Sequence, residues 1–143
     1  MNEKDFVHFQ TARKLKAAGF DEPCNSYYRI YKLATNRFEP MIQFTVCYNH
    51  FNSTDKKGDY SAPTLWQAHK FLREEKKIDI DISSDMIKDA SCKIIGRQYS
   101  YTIWDNYKGE LLAGGLFSTK ETYEEALTAD IDAALDLITN KKL

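Results

Sequence analysis

Asp79 and Asp81 stand two apart in the run KKIDIDI (residues 76–82). A D-x-D pair on one strand face could hold Mg2+ if a third carboxylate, Asp85 or Asp89, came beside it, and a metal-dependent hydrolase could use such a site. An amphipathic strand with its polar face in water shows the same spacing, and this plainer reading outweighs the metal one. Just upstream, Lys70, Arg73, Lys76 and Lys77 crowd the end of a helical segment. Cations there suit the negative end of the helix dipole, and Arg73 could take a phosphate or carboxylate in forked geometry. Lys56 and Lys57 in the preceding loop could join them, while Glu74 and Glu75 partly neutralise the group. This basic patch is the best functional candidate in the chain, for a partner or for nucleic acid, although a solvated helix end remains the simpler account.

The other reactive residue types are scattered. His8, His50 and His69 form no HxH, HxxxH or HExxH pattern. Lys70 beside His69 would depress its proton affinity, and His50 could meet Asp55 or Asp59 across its loop. Cys24, Cys47 and Cys92 contain no CxxC pair, so neither a zinc knuckle nor a disulfide exchanger is indicated. Asp21 and Glu22 would oppose a thiolate at Cys24. No GxSxG elbow, phosphate loop or dinucleotide fingerprint is present, and no cofactor or metal is expected.

Composition narrows the class further. A chain of 143 residues, 43% hydrophobic, can fold as one domain over residues 1–143 without metal or disulfide. The net charge of −1 makes the chain a poor nonspecific nucleic-acid binder unless its charge is segregated. Some segregation exists: residues 1–77 hold 13 Lys and Arg against 9 Asp and Glu, and residues 78–143 hold 7 against 12. Three scattered thiols suggest a reducing compartment. MNEKDFVHFQ (1–10) lacks the apolar core of a signal peptide, and no apolar run approaches the roughly 20 residues that span a bilayer. The expected location is the cytoplasm, with no membrane partner.

The elements that must position these groups follow from periodicity. Phe6, Phe9, Ala12 and Leu15 recur at helical spacing over residues 3–18, and Gly19 with Phe20 fits a Schellman ending. Residues 26–33 and 41–48 alternate as strands of a hairpin around the turn ATNRFEP (34–40). Residues 49–62 read as one long polar loop. Thr64 caps a second helix, with Gln67 placed to close a capping box. Ile78, Ile80 and Ile82 share one strand face, with Asp79 and Asp81 on the other. SSDMIKDA (83–90) suggests a helical turn capped by Ser84. Strands follow over 92–104 and 110–117, joined by a turn from Asn106 to Gly109, and Gly114 and Gly115 suggest a bulge or close backbone approach. Thr122 caps a last helix whose stripe is Leu127, Ile131, Leu135 and Ile138, with Asp130, Asp132 and Asp136 away from its centre. The order α-β-β-α-β-β-β-α predicts an α+β fold: one mainly antiparallel or mixed sheet of about five strands, with three helices on one face. An exposed edge strand or aromatic sheet face could build a two-fold dimer.

Three stretches carry a resemblance: GFDEPCNSYY (19–28), the Pro-Thr opening with its Phe71-Leu72-Arg73-Glu74 core, and YEEALTADIDAALDLI (123–138). In these the chain is similar to a group of small uncharacterised proteins from phages and integrated mobile elements of gut Bacteroidetes. The group's usual aromatic before Leu-Arg-Glu is Trp; Phe71 stands here and keeps an apolar plug. The resemblance covers about a third of the chain and implies a phage or mobile-element origin; it carries over no catalytic residue. The expectation is a small accessory protein without enzymatic activity that binds a macromolecule, a protein sooner than a nucleic acid.

Overall fold

The computed structural model describes residues 3–45, 49–54, 57–117 and 122–141. Among the described residues the fold is α+β, with three α-helices and two three-stranded antiparallel sheets in place of the single sheet expected. The chain divides into two compact units, Met1–Ala68 with Leu135–Leu143, and His69–Ala134.

In the first unit the N-terminal helix is shorter than its periodicity suggests. A 3-10 turn spans Glu3–Asp5, and α1 begins only at Phe9 and runs to Ala17. Between them the chain is extended. Phe6 bridges Thr64, and the Val7 N–H donates to the Pro63 carbonyl at 3.0 Å, so a long-range partner takes what a helical turn would have used. The helix ends as a full Schellman motif. The Phe20 N–H donates to Leu15 O at 2.9 Å, the Gly19 N–H to Lys16 O at 3.1 Å, and Gly19 sits at φ 91°.

β1 (Ser26–Lys32) pairs with β2 (Phe38–Phe44), and on its other side with a two-residue strand, β3 (Tyr60–Ser61), inside the stretch read as loop. β2 starts inside the stretch read as turn, and Pro40 lies within it. The Thr45 N–H donates to Asn25 O at 2.8 Å and the Leu33 N–H to Arg37 O at 2.7 Å, which sets the alternation of the ladder. By that alternation Phe38, Pro40, Ile42 and Phe44 turn their backbone groups to the outer edge of the sheet. The amide hydrogen that proline lacks would have met no strand, and proline is tolerated there for that reason. Phe9 packs edge-on against Tyr28 and Tyr60 at 5.6 and 5.5 Å, so α1 covers the Tyr28 face of this sheet.

α2 (Leu65–Glu75) starts as the sequence indicates: the Gln67 N–H donates to Thr64 Oγ1 at 3.1 Å. The Gln67 side chain donates to the Pro23 carbonyl at 2.9 Å, so it ties the helix start to the β1 approach. The second sheet has the order β4-β5-β6, from β4 (Ile78–Lys88), β5 (Ile94–Asp105) and β6 (Glu110–Phe117). Residues 83–88, expected as a helical turn, extend β4. Ser83 to Ile87 each find a partner between Gly96 and Ser100, and that ladder overrides the local capping signal of Ser84. Ile78 and Ile80 are buried against solvent while Asp81 is exposed, as the alternation required. A Cβ on Gly114 would lie 3.3 Å from the Tyr101 carbonyl oxygen, the close approach its sequence position suggested.

In α3 (Tyr123–Lys141) the Glu125 N–H donates to Thr122 Oγ1 at 3.2 Å, and Leu127, Ile131, Leu135 and Ile138 are all buried. Asp130, assigned to the polar side, is fully buried instead. Ala126 and Ala134, four residues before and after it, are buried too, so the buried stripe is one residue row wider than the large side chains alone suggest.

Candidate functional site

Three of the four cations of the basic patch stand around one glutamate. Lys70 Nζ and Arg73 Nη2 each lie 3.9 Å from a Glu74 carboxylate oxygen, and Lys77 Nζ donates to the Glu74 carbonyl at 2.6 Å. Lys76 Nζ stands 5.8 Å from the centre of the Phe71 ring. Lys77 itself adopts φ 56° and stops the helix. Helical spacing of three and four residues makes this gathering a local event. The same spacing sets Glu74 among the cations, and exposed pairs of this kind contribute under about 1 kcal/mol each. Lys57 belongs to the other compact unit, and Lys56, Asp55, Cys47 and Lys142 lie outside the described residues.

Asp79 and Asp81 share the polar face of β4, opposite Trp104 and Thr102. Asp85 follows on that face opposite Gln98. Asp89 is committed to its own turn: its Oδ1 accepts from the Ser91 N–H, the Ser91 hydroxyl and the Lys93 N–H at 2.9, 2.6 and 3.0 Å, and these bonds hold its carboxyl below the usual range. Among the described residues no three His, Cys, Asp or Glu side chains gather as a metal site requires. His69 Nε2 lies 3.8 Å from Asp79 Oδ1. Burial lowers the proton affinity of His69, Asp79 partly restores it, and Arg73 lowers it further; burial, not the Lys70 neighbour, is the main cause.

The densest set of reactive side chains was not legible in the sequence. It surrounds β3. Cys24 and His50 form an antiparallel bridge, with reciprocal N–H to carbonyl bonds of 3.0 and 2.8 Å. His50 Nδ1 lies 2.7 Å from the Ser61 hydroxyl, and its ring stacks on Tyr27 at 4.8 Å. Arg29 lies over the same Tyr27 ring, 5.3 Å from its centroid, and forks onto Asp59 with bonds of 3.1 and 2.7 Å. Lys16 Nζ donates to the Asp59 carbonyl at 2.8 Å and sits over the Tyr60 ring. The Asn52 carboxamide donates to Phe20 O and accepts from the Ser61 N–H. Asp59 thus takes Arg29, and His50 lies against Ser61; Asp55, the other acid considered for His50, lies outside the described residues.

Cysteine, histidine and serine side by side have the makings of nucleophilic catalysis, but the environment opposes it. Cys24, His50 and Ser61 are all buried. Burial pushes the Cys24 thiol up to about 12, Glu22 adds to that, and Ser61 only partly offsets it. A thiol in this state is inert near neutral pH, and a substrate would have no path to Ser61. The cluster works as an internal polar lock that fixes a loop against β1.

Several large apolar side chains stand exposed on two hairpins. Ile30, Phe38 and Met41 on the β1–β2 hairpin are exposed, Phe38 at 67%, and on the β4–β5 hairpin Met86 and Ile94 are each 55% exposed and Ile95 62%. Among the described residues no helix is long and apolar enough to cross a membrane. The chain matches no protein-family model, no curated protein and no solved structure.

Proposed function

We propose that this is a small accessory protein without enzymatic activity, of phage or mobile-element origin, that acts in the cytoplasm by binding another protein. The observation that carries the reading is a contrast in placement. Cys24, His50, Asp59 and Ser61 are buried and paired around β3, whereas large apolar side chains stand open on two hairpins. Exposed apolar strands of this kind mark interaction surfaces. The three stretches of resemblance support the origin. Affinity capture with the full chain as bait, in lysate of its source cells, tests the reading: a protein retained through a high-salt wash is expected, and recovery of no protein at all would sink it.

A nucleic-acid reading draws on one observation, the gathering of Lys70, Arg73, Lys76 and Lys77 at the end of α2. It requires affinity for a duplex or single strand that falls steeply with salt. No binding at low salt would remove it. Millimolar Mg2+ or Mn2+ gives the corresponding check on Asp79 and Asp81: an unchanged melting temperature closes the hydrolase branch.

A further inference from the structure

Among the described residues the β4–β5 hairpin extends beyond the pairing of β6. β6 pairs with β5 from Asp105 back to Tyr99. Beyond Tyr99, among the described residues, β4 and β5 continue as two strands alone, as far as the turn at Asp89 to Lys93. A two-stranded ribbon is marginal in water by itself. Here Ser83 through Met86, Lys88, Ile94, Ile95 and Arg97 are all exposed. The register sorts its side chains. Met86 faces Arg97 and Lys88 faces Ile94 on the face that carries Ile78 and Ile80 further down, so apolar and cationic groups form a diagonal pattern. Lys93 pairs with Asp89, one step nearer the turn, and so falls on the opposite face. The nearby acids do not neutralise this face: Asp85 lies on the opposite one, and the Asp89 carboxylate is filled by its own turn.

We propose that this face of the ribbon is the docking site for an acidic, apolar segment of a protein partner, with its carboxylates against Lys88 and Arg97 and its apolar side chains against Met86 and Ile94. The argument is charge complementarity. Among the described residues the face offers two cations with no anion between them, and it offers apolar area beside those cations that a sugar-phosphate backbone could not match. The inference rests on the protein-binding reading above and can fail independently of it.

Selection of random 12-residue peptides displayed on phage, against the full chain, tests it. The enriched peptides are expected to combine Asp or Glu with Leu, Ile, Phe or Trp. They should bind at least tenfold more weakly to Met86→Ser/Ile94→Ser and to Arg97→Glu, and equally well to Phe38→Ser. All three variants alter exposed positions, and a wild-type melting temperature checks that each is folded; Arg97→Gln replaces any that is not. Absence of enrichment, enrichment of basic or uncharged peptides, or equal binding to the ribbon variants would overturn the assignment. So would a 20-base-pair DNA duplex that displaces the peptides. In the capture experiment, a partner held equally by Met86→Ser/Ile94→Ser removes the ribbon and leaves the protein-binding reading intact.

Discussion

Asp59 and Asp130 are both buried aspartates, one in each compact unit, and their surroundings are opposites. Asp59 lies opposite Arg29 across the β1–β3 ladder and takes its guanidinium in forked geometry, while its backbone carbonyl takes Lys16. That contact raises the Arg29 pKa above its ordinary value, chiefly through the hydrogen bond to Asp59. Among the described residues neither carboxylate oxygen of Asp130 has a hydrogen-bond partner, and burial alone pushes its carboxyl up to about 7. The first unit solves polar burial by pairing, and the second solves it by holding a proton. A neutral carboxyl costs far less to bury than a charged one, so both solutions are compatible with a folded chain, but only the second depends on pH.

The most drastic way to break this contrast is a second unpartnered carboxylate beside the first. Ile131→Asp replaces a fully buried apolar side chain next to Asp130. It loses the burial energy and adds a second desolvated acid, at a cost of about 4 kcal/mol or more. The expected result is an unfolded or aggregated protein, and a cooperative melt at the wild-type temperature would refute the placement of α3.

Asp130→Asn sharpens it. The folded pKa of Asp130 stands above its unfolded value of 3.8. Below about pH 4 both states are protonated and the group costs nothing through ionisation. Between about pH 4 and 7 the unfolded chain has released a proton that the folded protein keeps, so stability falls as pH rises, and above about 7 the loss is complete. The fall amounts to roughly 4 kcal/mol at most. Urea titrations from pH 4 to 8 should show the slope in the wild type and a flatter profile in Asp130→Asn; parallel profiles would mean that Asp130 has a partner. The counterpart, Asp59→Ala, removes a paired acid. Arg29 is about a third exposed and can be rehydrated, so the expected loss is about 1–3 kcal/mol.

Local signals in this chain were legible, and signals that depend on a distant partner were not. Gly19 with Phe20, Thr64 and Thr122 announced helix ends because a helix terminus is satisfied by residues within one turn of it. The grouping of Lys70, Arg73, Lys76 and Lys77 was legible for the same reason. The lock around β3 was not: Cys24 meets His50, and Arg29 meets Asp59, only through the register of a two-residue strand inside a polar stretch. Residues 83–88 carried a helical cap signal that their cross-strand partners overrode. Asp130 misled the helical pattern because one face of α3 is lined by alanines, whose small side chains do not mark a row as buried.

The smallest expected effect compares the two hairpin turns. The β1–β2 loop closes with the Asn36 N–H on Leu33 O at 3.0 Å, and the β4–β5 loop with the Cys92 N–H on Asp89 O at 3.0 Å. Each places a non-glycine residue in the left-handed region, Asn36 at φ 62° and Cys92 at φ 64°. Asparagine tolerates that conformation; cysteine has no short polar group to offset the clash of its Cβ with the backbone. Glycine relieves the strain and also widens the unfolded ensemble, so the two effects partly cancel. Cys92→Gly should therefore stabilise the second unit by about 0.5–1 kcal/mol, whereas Asn36→Gly should leave stability within about 0.5 kcal/mol of wild type. Matched denaturant titrations decide the comparison. If Cys92→Gly destabilises, the Cys92 side chain contributes something to its turn that outweighs the strain of the backbone beneath it.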